Sequence, residues 1–403
     1  MSPLFLSIAA IRNRPLHASL CVAATAAAIT LLTCLFLLSN GLAKGFDRSA
    51  QGVDLIAGVK ASPLQLIFST LYGVDVPAGN IEMTDYEALA KNKHIRQAIP
   101  LALGDSYKGF RMVGTTAAYP ALYQAETAEG RMFENPFETV VGARTGLKIG
   151  EEFAVTHGFS ADGDDVHRAH LYKVTGILKP TGTVLDRLLL TPLQSVQQLH
   201  SHVDAHDSSE EQAEEAALAH QVTAVLLQVR SRTDLFNLPR TLNATEPYMV
   251  VRPSYEMARF SRSLGLGKTL TLVLAAGFFI LAGLILLSTL ASSLSLRRYD
   301  LAILRVLGAS RGNLFLTVLS EGVLLSGMGA IIGLLIGHAL AFTAVTQFDF
   351  LRGLILPSSM LYPTFDDLAF LGLGIGAGVL ASLIPAISSA KADIADILAQ
   401  GRG

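Results

Sequence analysis

Charged residues are scarce in this chain: Asp, Glu, Lys and Arg make up 16% of its 403 residues, against 51% hydrophobic residues and a mean hydropathy of +0.44. The scarcity is uneven. Residues 15–43, 269–296 and 368–390 contain none of the four, and 312–348 contains only Glu321. Each stretch can cross the roughly 30 Å of hydrocarbon in a bilayer as a helix, which takes about 20 apolar residues. Cysteine is nearly missing as well. Cys21 and Cys34 both fall in the first apolar stretch, so the segment between the first two stretches can hold no disulfide, and cysteine content is silent about its compartment. A net charge of only -2 leaves no global basic footprint and argues against a nucleic-acid partner. No tandem repeat and no pair of matching halves is visible.

What is present predicts a membrane protein: four transmembrane α-helices with a large α+β extracytoplasmic domain inserted between helices 1 and 2. The first apolar stretch could instead be read as a cleaved signal peptide, since Arg12 and Arg14 precede it and Gly41-Leu42-Ala43 is a tolerable cleavage site. Its uncharged length exceeds the roughly 7–15 residues of a signal core, so the reading is a retained anchor. Basic residues set the orientation. Arg12 and Arg14 flank the first helix, Arg297, Arg298, Arg305 and Arg311 lie between the second and third, and Lys391 and Arg402 follow the fourth. The loop after the third carries Arg352 beside Asp349, Asp366 and Asp367. Both termini are therefore expected in the cytoplasm of an inner-membrane protein, with the large domain periplasmic.

The expected layout is a cytoplasmic amphipathic segment at 1–14, helix 1 at 15–43, the extracytoplasmic domain at 44–268 and helix 2 at 269–296. A cytoplasmic coupling segment at 297–311, helix 3 at 312–348, a loop at 349–367, helix 4 at 368–390 and a tail at 391–403 follow. Within the domain, strands are expected at 111–116, 139–142, 153–156, 172–178, 186–190 and 222–229, rich in aliphatic and β-branched residues between Gly, Pro and Thr. Helices are expected at 84–93, 192–200, 209–220 and 254–264. The acidic stretch 201–215 reads as a polar excursion.

Two motif matches fail on context. Gly265-Leu266-Gly267-Lys268-Thr269 resembles the end of a phosphate-binding loop, but its required first glycine would fall on Arg262 and a membrane helix follows. Gly308-Ala309-Ser310-Arg311-Gly312 fits G-x-S-x-G, yet a nucleophile elbow needs a preceding strand and distant Asp and His partners in one compartment. Neither ATP binding by this chain nor a nucleophilic Ser310 is expected, and no catalytic residue is assigned.

The segment before that turn says more. On a helical wheel Leu296, Tyr299, Ile303, Val306 and Leu307 share one side, while Arg298 and Arg305 share the other. One reading is an interfacial helix that only obeys the positive-inside rule; the other is a docking element for a soluble partner. The run from Arg298 to Arg311, RYDLAILRVLGASR, followed by an apolar helix with an early Glu321, resembles the FtsX/MacB-like permeases of ABC transporters. The amphipathic segment 3–14, the large inserted domain and the closing Ile384-Pro385-Ala386 and Ala390-Lys391-Ala392-Asp393-Ile394 extend the resemblance.

The resemblance implies a permease subunit that pairs with a second one, identical or not, and meets a separate cytoplasmic ABC ATPase dimer. ATP and Mg²⁺ would then act only through that partner, and the motion would pass to the extracytoplasmic domain without a substrate pore, the mechanotransmission scheme. Arg298, Asp300, Arg305 and Arg311 become the expected ATPase-coupling residues. Glu321 lies about 15 Å along a helix beyond Arg311, at 1.5 Å per residue. Its carboxylate is costly there unless it faces protein, water or a donor, and its role is either structural or one of transmembrane coupling. Gly329, Gly333 and Gly337 recur every four residues, as do Gly374 and Gly378, which permits close helix packing within one subunit or between two.

Histidines gather in the inserted domain. His200, His202 and His206 form H-x-H-x₃-H with Asp204 and Asp207 interspersed, and His167 and His170 sit near Asp164 and Asp165. Imidazole and carboxylate together suit zinc, so the alternatives are metal handling and a solvated loop with no specific role. Two functions stay open. One is export or release of a periplasmic or membrane substrate, such as a lipid, lipoprotein, hydrophobic compound or metal-associated ligand. The other is ATP-driven transmembrane signalling that controls an extracytoplasmic partner protein.

Overall fold

The computed structural model describes residues 3–157, 170–201, 220–263 and 265–391. The chain opens with α1 (Pro3–Asn13) and, after Arg14, continues as α2 (Pro15–Ser49). Pro15 suits the first helical position, where an N–H would lack an intrahelical partner anyway.

The inserted domain holds a mixed sheet of 11 strands and a separate sheet of two, with helices packed around them. Its first half contains β1 (Leu55–Val59), α3 (Pro63–Thr70), β2 (Ile81–Glu82), α4 (Met83–Lys91), β3 (Ile95–Tyr107), β4 (Phe110–Thr115) and α5 (Ala118–Leu122). Then come β5 (Thr127–Gly130), β6 (Glu138–Val141), β7 (Glu152–Phe153), β8 (Thr156–His157), β9 (Tyr172–Leu178), β10 (Leu188–Pro192) and α6 (Leu193–Ser201). The last part holds β11 (Gln221–Val222), β12 (Ala224–Val229), α7 (Asp234–Thr245), β13 (Tyr248–Val251) and α8 (Pro253–Ser263).

The long strand β3 belongs to two lobes. Its first half pairs with β12 in the antiparallel order β13-β1-β12-β3, and its second half pairs with β4 in β3-β4-β10-β6-β9-β5. Pro100 sits where one pairing hands over to the other. It lies opposite Val225, but its carbonyl turns toward the β4 side and accepts from Thr115 Oγ1 at 2.8 Å. Pairing with β4 begins only at Ala102, so the N–H that proline lacks costs the ladder nothing. Each lobe has its own core. Leu55, Leu89, Val225, Leu227 and Val250 fill the first; Met112, Val141, Phe153, Tyr172 and Leu189 fill the second. Full burial of one such aliphatic side chain contributes about 1.5–3 kcal/mol.

Outside this domain the chain is helical: α9 (Gly265–Val306), α10 (Arg311–Gln347), α11 (Asp349–Leu354) and α12 (Phe365–Lys391). Among the described residues, four segments are long and apolar enough to cross a membrane: Pro15–Ser49, Leu272–Leu294, Arg311–Gln347 and Pro357–Lys391. Leu272, Phe278, Ile280, Leu335, Leu380 and Ile384 are exposed on them, as lipid-facing side chains must be.

Glycines decide how the apolar helices meet. A methyl group at Gly329, Gly333 or Gly337 would stand 2.7–2.8 Å from atoms of Thr25, Ala26, Ile29 or Thr33, so this stripe of α10 lies against α2. Another face of α10 meets α12. A Cβ on Gly322 would be 2.7 Å from Ser382 Cβ, one on Gly374 would be 2.6 Å from Ala330 Cβ, and one on Gly378 would overlap Ser326. Without a hydrophobic driving force between helices in lipid, such close backbone approach supplies the dispersion contact that holds them. Thr30 Oγ1 adds a bond to the Gly333 carbonyl at 3.1 Å, and Phe36 meets Phe370 edge-on at 5.3 Å.

Candidate functional site

The expected coupling segment is mostly the end of a longer helix. α9 runs 42 residues without a break, about 63 Å at 1.5 Å per residue, so Arg298, Asp300 and Arg305 lie on the same helix as the apolar span. Its end is closed by a Schellman motif. The Gly308 N–H donates to the Arg305 carbonyl at 3.1 Å and the Ala309 N–H to the Leu304 carbonyl at 2.9 Å. Gly308 takes φ +98°, which glycine alone adopts without strain.

Two residues later the next helix begins. Ser310 Oγ accepts from the Asn313 N–H at 3.1 Å and caps α10, whose first residue is Arg311. Gly308-Ala309-Ser310 is thus a C-terminal stop joined to an N-terminal start, preceded by a helix rather than a strand. Gly265-Leu266-Gly267-Lys268-Thr269 likewise opens a helix and is not a loop. Around the turn Ile303, Val306 and Leu307 are exposed, the last at 77%, next to a half-buried Arg305 and an exposed Arg311. Side-chain positions of Arg298 and Asp300 lie outside the described residues.

Glu321 is buried, at 7% exposure, beside a small cavity. Arg14 and His17 from the α1–α2 junction and Thr289 and Ser293 from α9 line the same cavity. Arg14 Nη1 is buried there with no hydrogen-bond partner among the described residues. Opposite charges on one small cavity lower the cost of placing a carboxylate in an apolar helix. α1 is held to α10 beside it, for Ser7 Oγ donates to the Thr317 carbonyl at 2.7 Å and lies 2.7 Å from Ser320 Oγ. Sequence reading singled out Glu321 but not Arg14 or His17 as its neighbours. They come from the other end of the chain, and nothing in local spacing announces them.

A second polar contact in the helices also escaped sequence reading. His338 on α10 reaches Asp367 on α12 and the Met360 carbonyl. Of the histidines in the inserted domain, His170 stacks on Phe137 with ring centroids 4.7 Å apart. His167, His202, His206 and the side chain of His200 lie outside the described residues. Among the described residues no group of three or more His, Cys, Asp or Glu side chains could hold a metal.

Four membrane-spanning helices, a large α+β domain between the first and second, and a basic helix–turn–helix closed by glycine and serine define a membrane subunit of transporter type. Comparison with known families agrees. Residues 18–235 match the MacB-like periplasmic core domain and residues 272–394 match the FtsX-like permease C-terminal domain. The chain belongs to the FtsX/MacB-like ABC transporter permease family, and is an inner-membrane protein whose inserted domain is the periplasmic one. No curated protein matches it.

Among solved structures, the periplasmic region of MacB from Actinobacillus actinomycetemcomitans is similar at 10% identity and a TM-score of 0.32, covering 53% of this chain and 95% of that one. The extracellular domain of the noncanonic ABC-type transporter YknZ from Gram-positive bacteria is similar at 13% identity and a TM-score of 0.30, covering 49% of this chain and 100% of that one. At such scores these two likenesses carry no argument of their own.

Proposed function

We propose that this chain couples ATP hydrolysis by a separate cytoplasmic ATPase dimer to conformational change of its periplasmic domain, and so drives export or release of a periplasmic or membrane substrate. The observation that supports this most directly is the unbroken α9. A helix of 42 residues cannot bend freely, so a push at its Val306 end is felt along its whole length. The end being pushed is suited to a protein partner. It presents Ile303, Val306 and Leu307 with Arg305 and Arg311, an apolar patch rimmed by cations of the kind that marks an interaction surface.

In this scheme Arg298, Asp300, Arg305 and Arg311 form the ATPase contact, and the Gly308–Ser310 turn passes the load from α9 to α10. Glu321, with Arg14 and His17 around its cavity, couples α1, α2, α9 and α10. The direct test is affinity capture of the chain with its neighbours from detergent extracts, followed by ATPase assay. Recovery of an ATPase that is lost with Arg298→Glu/Arg305→Glu is the expected result. Undiminished association in that double variant would remove these arginines from the contact.

A further inference from the structure

His338 lies toward the periplasmic end of the membrane helices. The glycine stripe of α10 sets its level. Gly329 meets Thr25, Gly333 meets Ala26 and Ile29, and Gly337 meets Thr33, so α10 runs beside α2 in the same direction. α2 leads into the inserted periplasmic domain, and α10 ends at Gln347, about 14 Å along the helix from His338. The His338 side chain is 15% exposed and that of Asp367, on α12, is 11% exposed.

Both ring nitrogens of His338 face acceptors. Nδ1 stands 2.6 Å from the Met360 carbonyl, and Nε2 stands 3.2 Å from Asp367 Oδ2, which also accepts from the Thr364 N–H. A neutral imidazole carries one N–H, so either of its tautomers sets a lone pair against a carbonyl or a carboxylate oxygen. One more proton, on the imidazole or on the carboxyl, relieves this. The surroundings favour the imidazole. Asp367 is the third residue of α12, where the helix dipole and the Thr364 N–H stabilise an ionised carboxylate. Its other oxygen, Oδ1, is buried with no hydrogen-bond partner among the described residues, which leaves an imidazolium as its compensating charge. Imidazolium with carboxylate is neutral overall; imidazole with carboxylate is an uncompensated negative charge in a place poor in water.

Other ionisable groups on the packed elements do not fill this role. Asp366 on α12 is half-buried and makes no ion pair with His338, and the 3₁₀ turn Pro357–Met360 carries no ionisable side chain. On α2, Cys34 beside Thr33 is uncharged as a thiol, and Lys44 lies about 16 Å further along the helix. Tyr362 in the loop is exposed, and Glu321 on α10 itself is about 25 Å back toward the other end.

We propose that His338 and Asp367 bind one proton between them, and that this proton latches the Pro357–Thr364 segment onto α10. When water on the periplasmic side takes the Nε2 proton, the bared lone pair and the carboxylate repel each other and the contact opens; a proton from the same side closes it. The latch is therefore closed at lower pH and opens as pH rises. The inference does not depend on the ATPase contact.

The test uses the full chain in neutral detergent with Tyr362→Trp, an exposed loop position in a chain that has no tryptophan of its own. Emission of this reporter follows the loop, while NMR of labelled imidazole nitrogens, assigned by His338→Gln, counts the N–H groups on the His338 ring. As pH rises, the ring is expected to pass from two N–H groups to one, and the emission to shift with the same midpoint. Adding His338→Gln should abolish the emission shift. Asp367→Asn keeps an oxygen for the Thr364 N–H but removes the charge, and should uncouple the reporter from the His338 titration even if the glutamine variant folds poorly. A single N–H in the closed state, with an infrared carboxylic-acid band that Asp367→Asn abolishes, would place the shared proton on the carboxyl and support the latch. A single N–H without that band would overturn the proposal, as would a reporter that ignores the titration or shifts equally in His338→Gln.

Discussion

His338 Nε2 lies 3.2 Å from Asp367 Oδ2, joining the C-terminal third of α10 to the first turn of α12. The same carboxylate oxygen accepts from the Thr364 N–H at 2.6 Å, as the third residue of a helix does when it reaches back to the N-cap. The Met360 carbonyl, 2.6 Å from His338 Nδ1, can only accept, so that nitrogen donates. One imidazole and one carboxylate therefore hold two helices and the turn between them. Asp367→Ala loses both the helix cap and the histidine contact, and is expected to destabilise the full chain by about 3 kcal/mol, against about 2 for His338→Ala. Thermal unfolding in detergent reads both. If Asp367→Ala melts with wild type, the contact does not hold the helices together.

Gly378 and Ser326 meet where α12 crosses α10 too closely for any added methyl. Gly378→Ala is expected to force the helices apart at a cost of about 1–3 kcal/mol. Much of the overlap is with the serine side chain, so Ser326→Gly in the same molecule should recover part of the loss. The Gly322 carbonyl, 2.8 Å from the same added atom, limits the recovery. A double-mutant cycle gives the coupling directly; purely additive losses would mean that the two positions do not feel each other.

The membrane helices were legible because they are defined by absence of charge, which is a property of sequence alone. α10 (Arg311–Gln347) lies within one residue of the expected 312–348. The strands at Phe110–Thr115, Glu138–Val141 and Tyr172–Leu178 match their expected stretches because β-branched residues and flanking glycines mark them. β3 was not read, since Pro100 and Gly104 interrupt its pattern and only the hand-over between β12 and β4 makes them tolerable. The expected strand at 186–190 starts later, at Leu188, because Thr183 Oγ1 accepts from the Leu185 N–H and holds Val184–Arg187 in a 3₁₀ turn. The stretch 153–156 divides between β7, paired with β9, and β8, paired with β3. The expected helix at 209–220 falls outside the described residues, apart from His220. Of the residues proposed for the ATPase contact, Arg305 and Arg311 stand out from charge and spacing. The cavity around Glu321 could not, since it joins residues far apart in the chain.

Arg131 grips Glu138 with two bonds, Nη1 to Oε2 at 2.8 Å and Nη2 to Oε1 at 2.5 Å, while the Glu134 N–H donates to Oε2 at 2.8 Å. These partners, the guanidinium first, hold the Glu138 carboxyl well below the usual glutamate range. The folded pKa is depressed, so the contribution is complete above the unfolded value near 4.3 and fades as pH falls toward the folded one. Because the pair is partly open to solvent, Glu138→Gln is expected to cost only about 1 kcal/mol at neutral pH. That gap should narrow below about pH 4. Melting temperatures of both proteins across this range test it; a gap that stays constant into acid would exclude the carboxylate as its source.

Gly308 stops α9 at φ +98°, and a Cβ built there would touch nothing within 4 Å. Any effect of substitution therefore comes from the backbone and not from a clash. Alanine resists this conformation by about 1–2 kcal/mol, and asparagine resists it less. Gly308→Ala is expected to loosen the bonds from Gly308 to Arg305 and from Ala309 to Leu304, with faster amide exchange at these two donors, and Gly308→Asn to fall between it and wild type. If the turn carries load from the ATPase, stimulated ATP hydrolysis should drop in the same order while the partner is still captured, since the arginines on either side are untouched. Unchanged exchange with reduced capture would instead place Gly308 in the docking surface, and unchanged exchange with full activity would show that the Schellman stop plays no part in coupling.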